Sequence, residues 1–201
     1  PHSACNEARS PLMNTMAVVD RTAELTDLLA RRILFLDGAT GTQIQALGID
    51  ERRMRGERFA EHHRDLKNFY DMLCLTEPEA QLAIHRNYLA AGADIVETNT
   101  FGSSPVGMAD FDFDDPVALC REINHAAVQL ARQACEEFTE KTPDKPRFVA
   151  GSIGPTSKQT AISTRVDDPG WRDVTFQEMV DSYYEQVAAL VEAGVDILLP
   201  E

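Results

Sequence analysis

One six-residue phrase is echoed in this chain, as Ala91-Gly92-Ala93-Asp94-Ile95-Val96 and, with two apolar exchanges, as Ala193-Gly194-Val195-Asp196-Ile197-Leu198. Each copy follows a stretch of helical spacing and runs into a short apolar segment. Each therefore reads as a helix ended by glycine that feeds a buried strand. Two further apolar runs, Ile33-Leu34-Phe35-Leu36 and Arg147-Phe148-Val149-Ala150-Gly151, read as strands as well. Helical segments separate the four. The first opens on a capping box at Thr76-Glu77-Pro78-Glu79 and runs through Leu82, Tyr88 and Leu89 to Gly92. The second opens at Asp115-Pro116 and keeps a 3-4 rhythm through Cys120, Ile123, Ala127, Leu130, Ala134 and Phe138. The third opens on a capping box at Thr175-Phe176-Gln177-Glu178, carries Met179, Tyr183, Val187 and Leu190 on one face, and ends at Gly194. Strands alternating with helices call for a parallel sheet with right-handed crossovers. A repeated βα unit favours a barrel. An open doubly wound sheet would show Gly-x-Gly-x-x-Gly after its first strand, and none is there. The expectation is α/β: a (β/α)8 TIM barrel of which this chain holds about the first four βα units.

The expected organisation is a disordered lead-in over residues 1–20, with Met13 and Met16 as candidate starts, and the N-terminal half of a barrel over 21–201. Leu25, Leu28 and Leu29 predict a short helix over the barrel floor or edge. A short helix is also expected from near Thr42, and residues 48–70 read as a charged, partly irregular excursion. The chain begins at Pro1 and stops just after a strand. It reads as a fragment whose two open sheet edges would drive association. Nineteen basic against thirty-three acidic residues give a formal charge of −14, which argues against nucleic acid or anionic membrane as a partner. No apolar run is long enough to span a bilayer, and no signal-type segment opens the chain, so a cytoplasmic setting is expected. Cys5, Cys74, Cys120 and Cys135 are widely spaced, which suggests neither a disulfide framework nor a metal site built from them.

Barrels build their sites at the carboxyl ends of their strands. Those ends supply Asp37, then Glu97 with Asn99, then Gly151 with Ser152, then Glu201. Carboxylates gathered there suit a cationic group such as an ammonium. The turn at Gly38-Ala39-Thr40-Gly41 offers backbone N–H groups that suit a carboxylate, and its glycines allow a tight turn and close approach. Together these features fit an amino acid zwitterion. The plainer alternative is that the acids cap helices or satisfy loop N–H groups. Elsewhere, the adjacent His62-His63 pair reads as a solvated loop, and His85 and His125 as surface or packing residues. Trp171, Tyr183 and Tyr184 read as packing. Lys158 is a candidate Schiff-base lysine.

Four stretches in order carry a family resemblance. Leu36-Asp37-Gly38-Ala39-Thr40-Gly41-Thr42-Gln43-Ile44-Gln45, Gly92 through Phe101, Phe148 through Thr156, and Gly194 through Leu199 are together similar to the homocysteine-binding domain of cobalamin-dependent methionine synthase. Betaine– and S-methylmethionine–homocysteine methyltransferases share that fold. The Glu97-Thr98-Asn99-Thr100-Phe101 loop and the long intervening segments favour the methionine synthase type. The resemblance implies a barrel that binds homocysteine and zinc. Asp37 and Glu201 would face the homocysteine amino group, and Gly38 and Ala39 its carboxylate. Glu97 and Asn99 complete the expected substrate-binding set. Zinc would take the homocysteine sulfur. The family's three zinc cysteines lie on later strands, and none of the cysteines here matches them, so no metal ligand and no catalytic residue is assigned to this chain. Cobalamin and methyltetrahydrofolate would act through other domains, and the missing half barrel and those modules are the expected partners. The chain departs from the pattern at Thr40 and at Pro200, which lacks a ladder N–H. The alternatives are a non-catalytic truncated barrel, another homocysteine S-methyltransferase of the betaine or S-methylmethionine type, and an unrelated barrel lyase or aldolase using Lys158.

Overall fold

The computed structural model describes residues 19–201, so all but the last two residues of the expected lead-in, with Cys5, Met13 and Met16, lie outside the described residues. In chain order the elements are α1 (Thr22–Arg31), α2 (Thr40–Ala46), α3 (Glu51–Arg55), α4 (Leu73–Thr76), α5 (Pro78–Ala91), β1 (Ile95–Glu97), α6 (Pro116–Lys141), β2 (Phe148–Ile153), α7 (Phe176–Glu192) and β3 (Ile197–Pro200). The three strands form one parallel sheet in the order β1-β2-β3. Glu97 pairs with Ala150, and Ala150 in turn with Ile197. The architecture is mixed α/β.

Helices α5, α6 and α7 cover one face of the sheet. Leu82, Leu89, Val128, Ala131, Ala134 and Leu190 pack there on Val96, Val149 and Ile153. Small residues on α6 let it lie close, and Gly151 does the same for α7. A side chain at Gly151 would meet Leu190 at 3.0 Å and Val195 at 3.1 Å, tighter than ordinary packing. A second core cluster joins Ile44, Met54, Leu66, Phe69, Met72 and Leu73 to Ile84 and Ile123. The stretch over 48–70 is therefore more than a charged excursion. Its apolar residues anchor the ceiling above the sheet, and His62, expected in a solvated loop, stacks on Phe113 at 4.7 Å with Nε2 2.8 Å from the Phe111 carbonyl.

Local signals decide where the helices end. Asp115 Oδ1 accepts from the Ala118 N–H (2.9 Å), and Thr175 and Glu178 form the expected capping box. Gly92 closes α5 at φ +114°, which only glycine adopts without strain. The capping box expected at Thr76 is absent. Thr76 is the last residue of α4, its hydroxyl turns back to the Met72 carbonyl (3.3 Å), and Glu77 is the N-cap of α5. A short helix running straight into the next one takes that hydroxyl for its own last turn.

The first expected strand is reduced to one bridge, Leu36 with Ile95, supported by the Asp37 N–H to Ile95 carbonyl bond (3.0 Å). Its run is not buried: Ile33 is 78% and Phe35 65% exposed. It lies at the sheet's edge, where one face and one hydrogen-bonding side have no neighbour among the described residues. Leu198 on β3 is also exposed, so both edges carry apolar surface.

The echoed aspartates do one job twice. Asp94 Oδ2 accepts the Phe35 N–H (3.0 Å), and Asp196 Oδ2 accepts the Val149 N–H (2.8 Å), each tying a strand's entry to the strand before it. Arginines hold both: Arg32 grips Asp94 with two bonds (2.8 and 2.9 Å), and Arg132 reaches Asp196 (2.9 Å). Arg21, at the start of α1, reaches the Arg147 carbonyl (2.7 Å) and lies over the Phe148 ring, which places α1 at the amino ends of the strands. Replacing Asp94 with Ala leaves a strand N–H and an arginine without their partner and is expected to cost about 2 kcal/mol of folding stability. Asp27→Ala, which breaks the solvent-exposed Arg31–Asp27 pair, should leave the denaturation midpoint unmoved. Urea denaturation of both variants checks the contrast, and equal losses would contradict it.

Candidate functional site

The sheet's register brings the strand-end acids into one neighbourhood. Val96 faces the helices, so Glu97 beside it lies on the opposite face. The Glu97 N–H donates to Asp37 Oδ1 (2.9 Å), fastening the first strand end to the second. The Glu201 N–H donates to the Ile153 carbonyl (3.0 Å), so the ladder continues past Pro200 even though Pro200 has no N–H. The Glu201 carboxylate is hydrogen-bonded by the Ser152 hydroxyl.

The three acids differ in what satisfies them. Asp37 Oδ2 is buried and has no hydrogen-bond partner among the described residues. Burial pushes the Asp37 carboxyl up to about 7, with Glu97 nearby adding to the rise and the Glu97 N–H opposing it. Glu97 is likewise raised, first by burial and then by Glu201. Two half-buried acids, one with an orphaned carboxylate oxygen, beside the exposed Glu201 are short of positive charge.

Two hollows adjoin these residues. One, of about 430 Å³, lies over the strands' carboxyl ends and is bordered by Glu97, Asn99, Ser152 and Glu201, with Phe69, Tyr70, Asp71 and Phe101 on its walls. The other, of about 660 Å³, lies beside the first strand and is bordered by Asp37, Gly38, Phe35, Tyr88 and Lys145. Ala39 borders both. Asp37 is thus joined to Glu97 through the backbone but opens on the neighbouring hollow. The turn after Asp37 differs from expectation too. Its left-handed residue is Ala39 (φ +52°), and a side chain at Gly38 or Gly41 would meet nothing within 4 Å. A non-glycine residue in that region is a local strain at the candidate site.

Asn99 is nearly buried, and its amide nitrogen donates to the Tyr70 carbonyl (2.8 Å) and to Gln81 Oε1 (3.1 Å). Sequence reasoning passed over Asp71, which lies in the same wall. It is 7% exposed, accepts the Gly102 N–H (2.9 Å), and is pushed up to about 6 by burial. No local pattern marks it, because its partners come from a distant loop. Lys158 is ion-paired with Asp110 (2.6 Å) in a loop rather than set in a dry strand end, and a Schiff-base role finds no support. Trp171 carries Arg165 over its ring at 3.6 Å, and Tyr184 is exposed, so neither is a core residue.

Zinc does not fit the described residues. Among them no three His, Cys, Asp or Glu side chains gather as a metal would need. Cys74, Cys120 and Cys135 are buried apart on helices, next to the Asn99 carbonyl, Asn124 and the Phe148 carbonyl respectively. Burial pushes all three thiols up, Cys120 and Cys135 to about 12, whereas a zinc ligand must ionise readily.

Asp37 carries a sign that can be measured. With its folded value near 7, above the ordinary carboxyl value of about 3.9, the folded chain keeps a proton that the unfolded chain has lost between those limits. Stability therefore falls as pH rises through that window. Asp37→Asn should flatten part of this fall and leave the chain more stable than wild type at pH 8. Thermal midpoints from pH 4 to 8 check it, and parallel profiles would refute it.

The sequence profile described as homocysteine S-methyltransferase matches residues 34–201. Among solved structures, the metallated form of the homocysteine methyltransferase MmuM from Escherichia coli is similar over 88% of this chain, at 25% identity and a TM-score of 0.65. The oxidized form of the same enzyme is similar over 87%, at 26% identity and a TM-score of 0.64. The chain spans 56% and 55% of those two structures, just over half their length. Among the described residues no helix is long and apolar enough to cross a membrane.

Proposed function

This chain belongs to the homocysteine S-methyltransferase family, and from that premise we propose that its strand-end acids bind homocysteine as a zwitterion. The observation that carries the reading is the buried, unpartnered Asp37 Oδ2, on a carboxylate whose other oxygen holds the N–H of a second raised acid. An ammonium supplies the missing charge and the missing donors at once. In this reading Asp37, Glu97 and Glu201 share the ammonium, and the backbone N–H groups at Gly38 and Ala39 meet the substrate carboxylate. Asn99 offers a further polar contact. The protein part of the chemistry is binding and orientation: holding the amino acid end so that the sulfur projects away from the sheet.

We further read the whole fold as a (β/α)8 barrel with these βα units at its start. The parallel sheet, the repeated junction at Asp94 and Asp196, and the fit to a longer homocysteine methyltransferase support that reading. Transfer of the methyl group, the zinc that activates the sulfur, and the methyl donor belong in this proposal to other parts of the whole protein. The Glu97-Thr98-Asn99-Thr100-Phe101 loop supports the methionine synthase type, with methylcobalamin as donor and methyltetrahydrofolate recharging it, in the cytoplasm.

The test compares L-homocysteine with 4-mercaptobutyrate, which keeps the thiol and carboxylate but lacks the ammonium. Calorimetry should show homocysteine preferred by the wild-type chain and the preference reduced about tenfold or more in Asp37→Asn. Ammonium binding needs the carboxylate. Below pH 7 the wild-type affinity should therefore weaken by up to about tenfold per pH unit, while Asp37→Asn varies less. Equal affinity for the two ligands, or a variant indistinguishable from wild type, would refute the assignment.

A further inference from the structure

The wall of the 430 Å³ hollow formed by Asn99 and Asp71 has its own supporting structure. It starts from a group that can only accept. The Tyr70 carbonyl lies 2.8 Å from the Asn99 amide nitrogen, so that side of Asn99 must be the NH2. The same nitrogen lies 3.1 Å from Gln81, which must then present its oxygen. With Gln81 Oε1 turned to Asn99, Gln81 Nε2 points at His85 Nε2, 3.2 Å away. A carboxamide NH2 donates, so His85 Nε2 must be bare and accepting. The ring proton is then on Nδ1, which is buried with no partner. The ring is wholly buried, and burial lowers its pKa to about 4, so it stays neutral and able to accept near pH 7.

Both Asn99 hydrogens are therefore in use, and its Oδ1 has no partner among the described residues. Asn99 is 8% exposed and Asp71 7%, and both border the hollow. Asp71 Oδ1 accepts the Gly102 N–H, which leaves the carboxylate with acceptor capacity to spare. Burial alone raises this carboxyl, without a contribution from Asp37, Glu97 or Glu201, so it is a separate acceptor from the trio.

We propose that Gln81 and His85 are positioning residues that lock the Asn99 carboxamide with its oxygen toward the hollow, so that Asn99 and Asp71 form an acceptor-only wall selecting ligand groups that carry N–H or O–H donors. A flipped Asn99 would set its oxygen against the Tyr70 carbonyl and show the ligand a donor instead. The identity of the ligand rests on the homocysteine reading above, but the lock does not.

Selective 15N labelling of the five histidines tests the lock in the chain as it stands. His85 should show a protonated Nδ1 and a bare Nε2 near pH 7. The opposite tautomer would overturn the proposal, because it reverses Gln81 and withdraws the acceptor from Asn99. A pair of variants tests its consequence. Gln81→Met removes the acceptor and should weaken homocysteine binding roughly two- to tenfold. Gln81→Glu keeps an acceptor for Asn99 and should restore binding while moving the His85 proton to Nε2, a switch that a merely structural role would not produce. If both variants bind as wild type does, the positioning role is wrong. If wild type binds no homocysteine, the substrate reading fails, and the tautomer still decides the lock.

Discussion

Parallel strands meet their neighbours off-level, and the N–H groups at each strand's entry need partners from elsewhere in the chain. Asp94 and Asp196 supply them. Each carboxylate binds the preceding strand, at Phe35 and at Val149, while arginines from the helical layer hold it in place. The rest of the structure depends on this tie. It sets the level at which each strand starts, and with strands this short it also sets where each one ends. The acids at the far ends can share a site because the near ends are aligned.

At those far ends the same alignment becomes an electrostatic cost. Asp37 and Glu97 sit where water is scarce, and Glu97 feels Glu201 as well. Like charges in a half-dry site favour their protonated forms until a cation arrives. The raised acids thus favour a positive group nearby, and in the proposed reading stability and affinity are coupled to the same protons. In the proposed reading that positive group is the ammonium of homocysteine. The proposed discrimination comes from two walls: the strand-end acids, with Asp37 short of donors, and Asn99 with Asp71, held by the Tyr70 carbonyl and Gln81 and by the Gly102 N–H.

Much of this was legible from residues close together in the chain. Helix ends at Gly92, Asp115 and Thr175 are local signals, and the repeated Ala-Gly-x-Asp-Ile junction exposed the βα unit and its register. Four apolar residues at 33–36 predicted a buried strand but cannot say which strand forms an edge, and there the structure leaves Ile33 and Phe35 open. Thr76 looked like a cap because its own four residues allow one, yet the helix before it takes the hydroxyl. Gln81 and His85 carried no signal. They are four residues apart on α5, and their meaning comes from Asn99 and the Tyr70 carbonyl on other elements. The placement of Asp37 and Glu97 at strand carboxyl ends was legible because it is itself a sequence property.

The most direct measurement is a crystal structure of the chain soaked with L-homocysteine at pH 8, where the acids are ionised. The account predicts the ammonium nitrogen within about 3 Å of Asp37 Oδ2, with Glu97 and Glu201 around it and the sulfur directed away from the sheet. Homocysteine bound with its ammonium elsewhere, and Asp37 Oδ2 still without a partner, would contradict it.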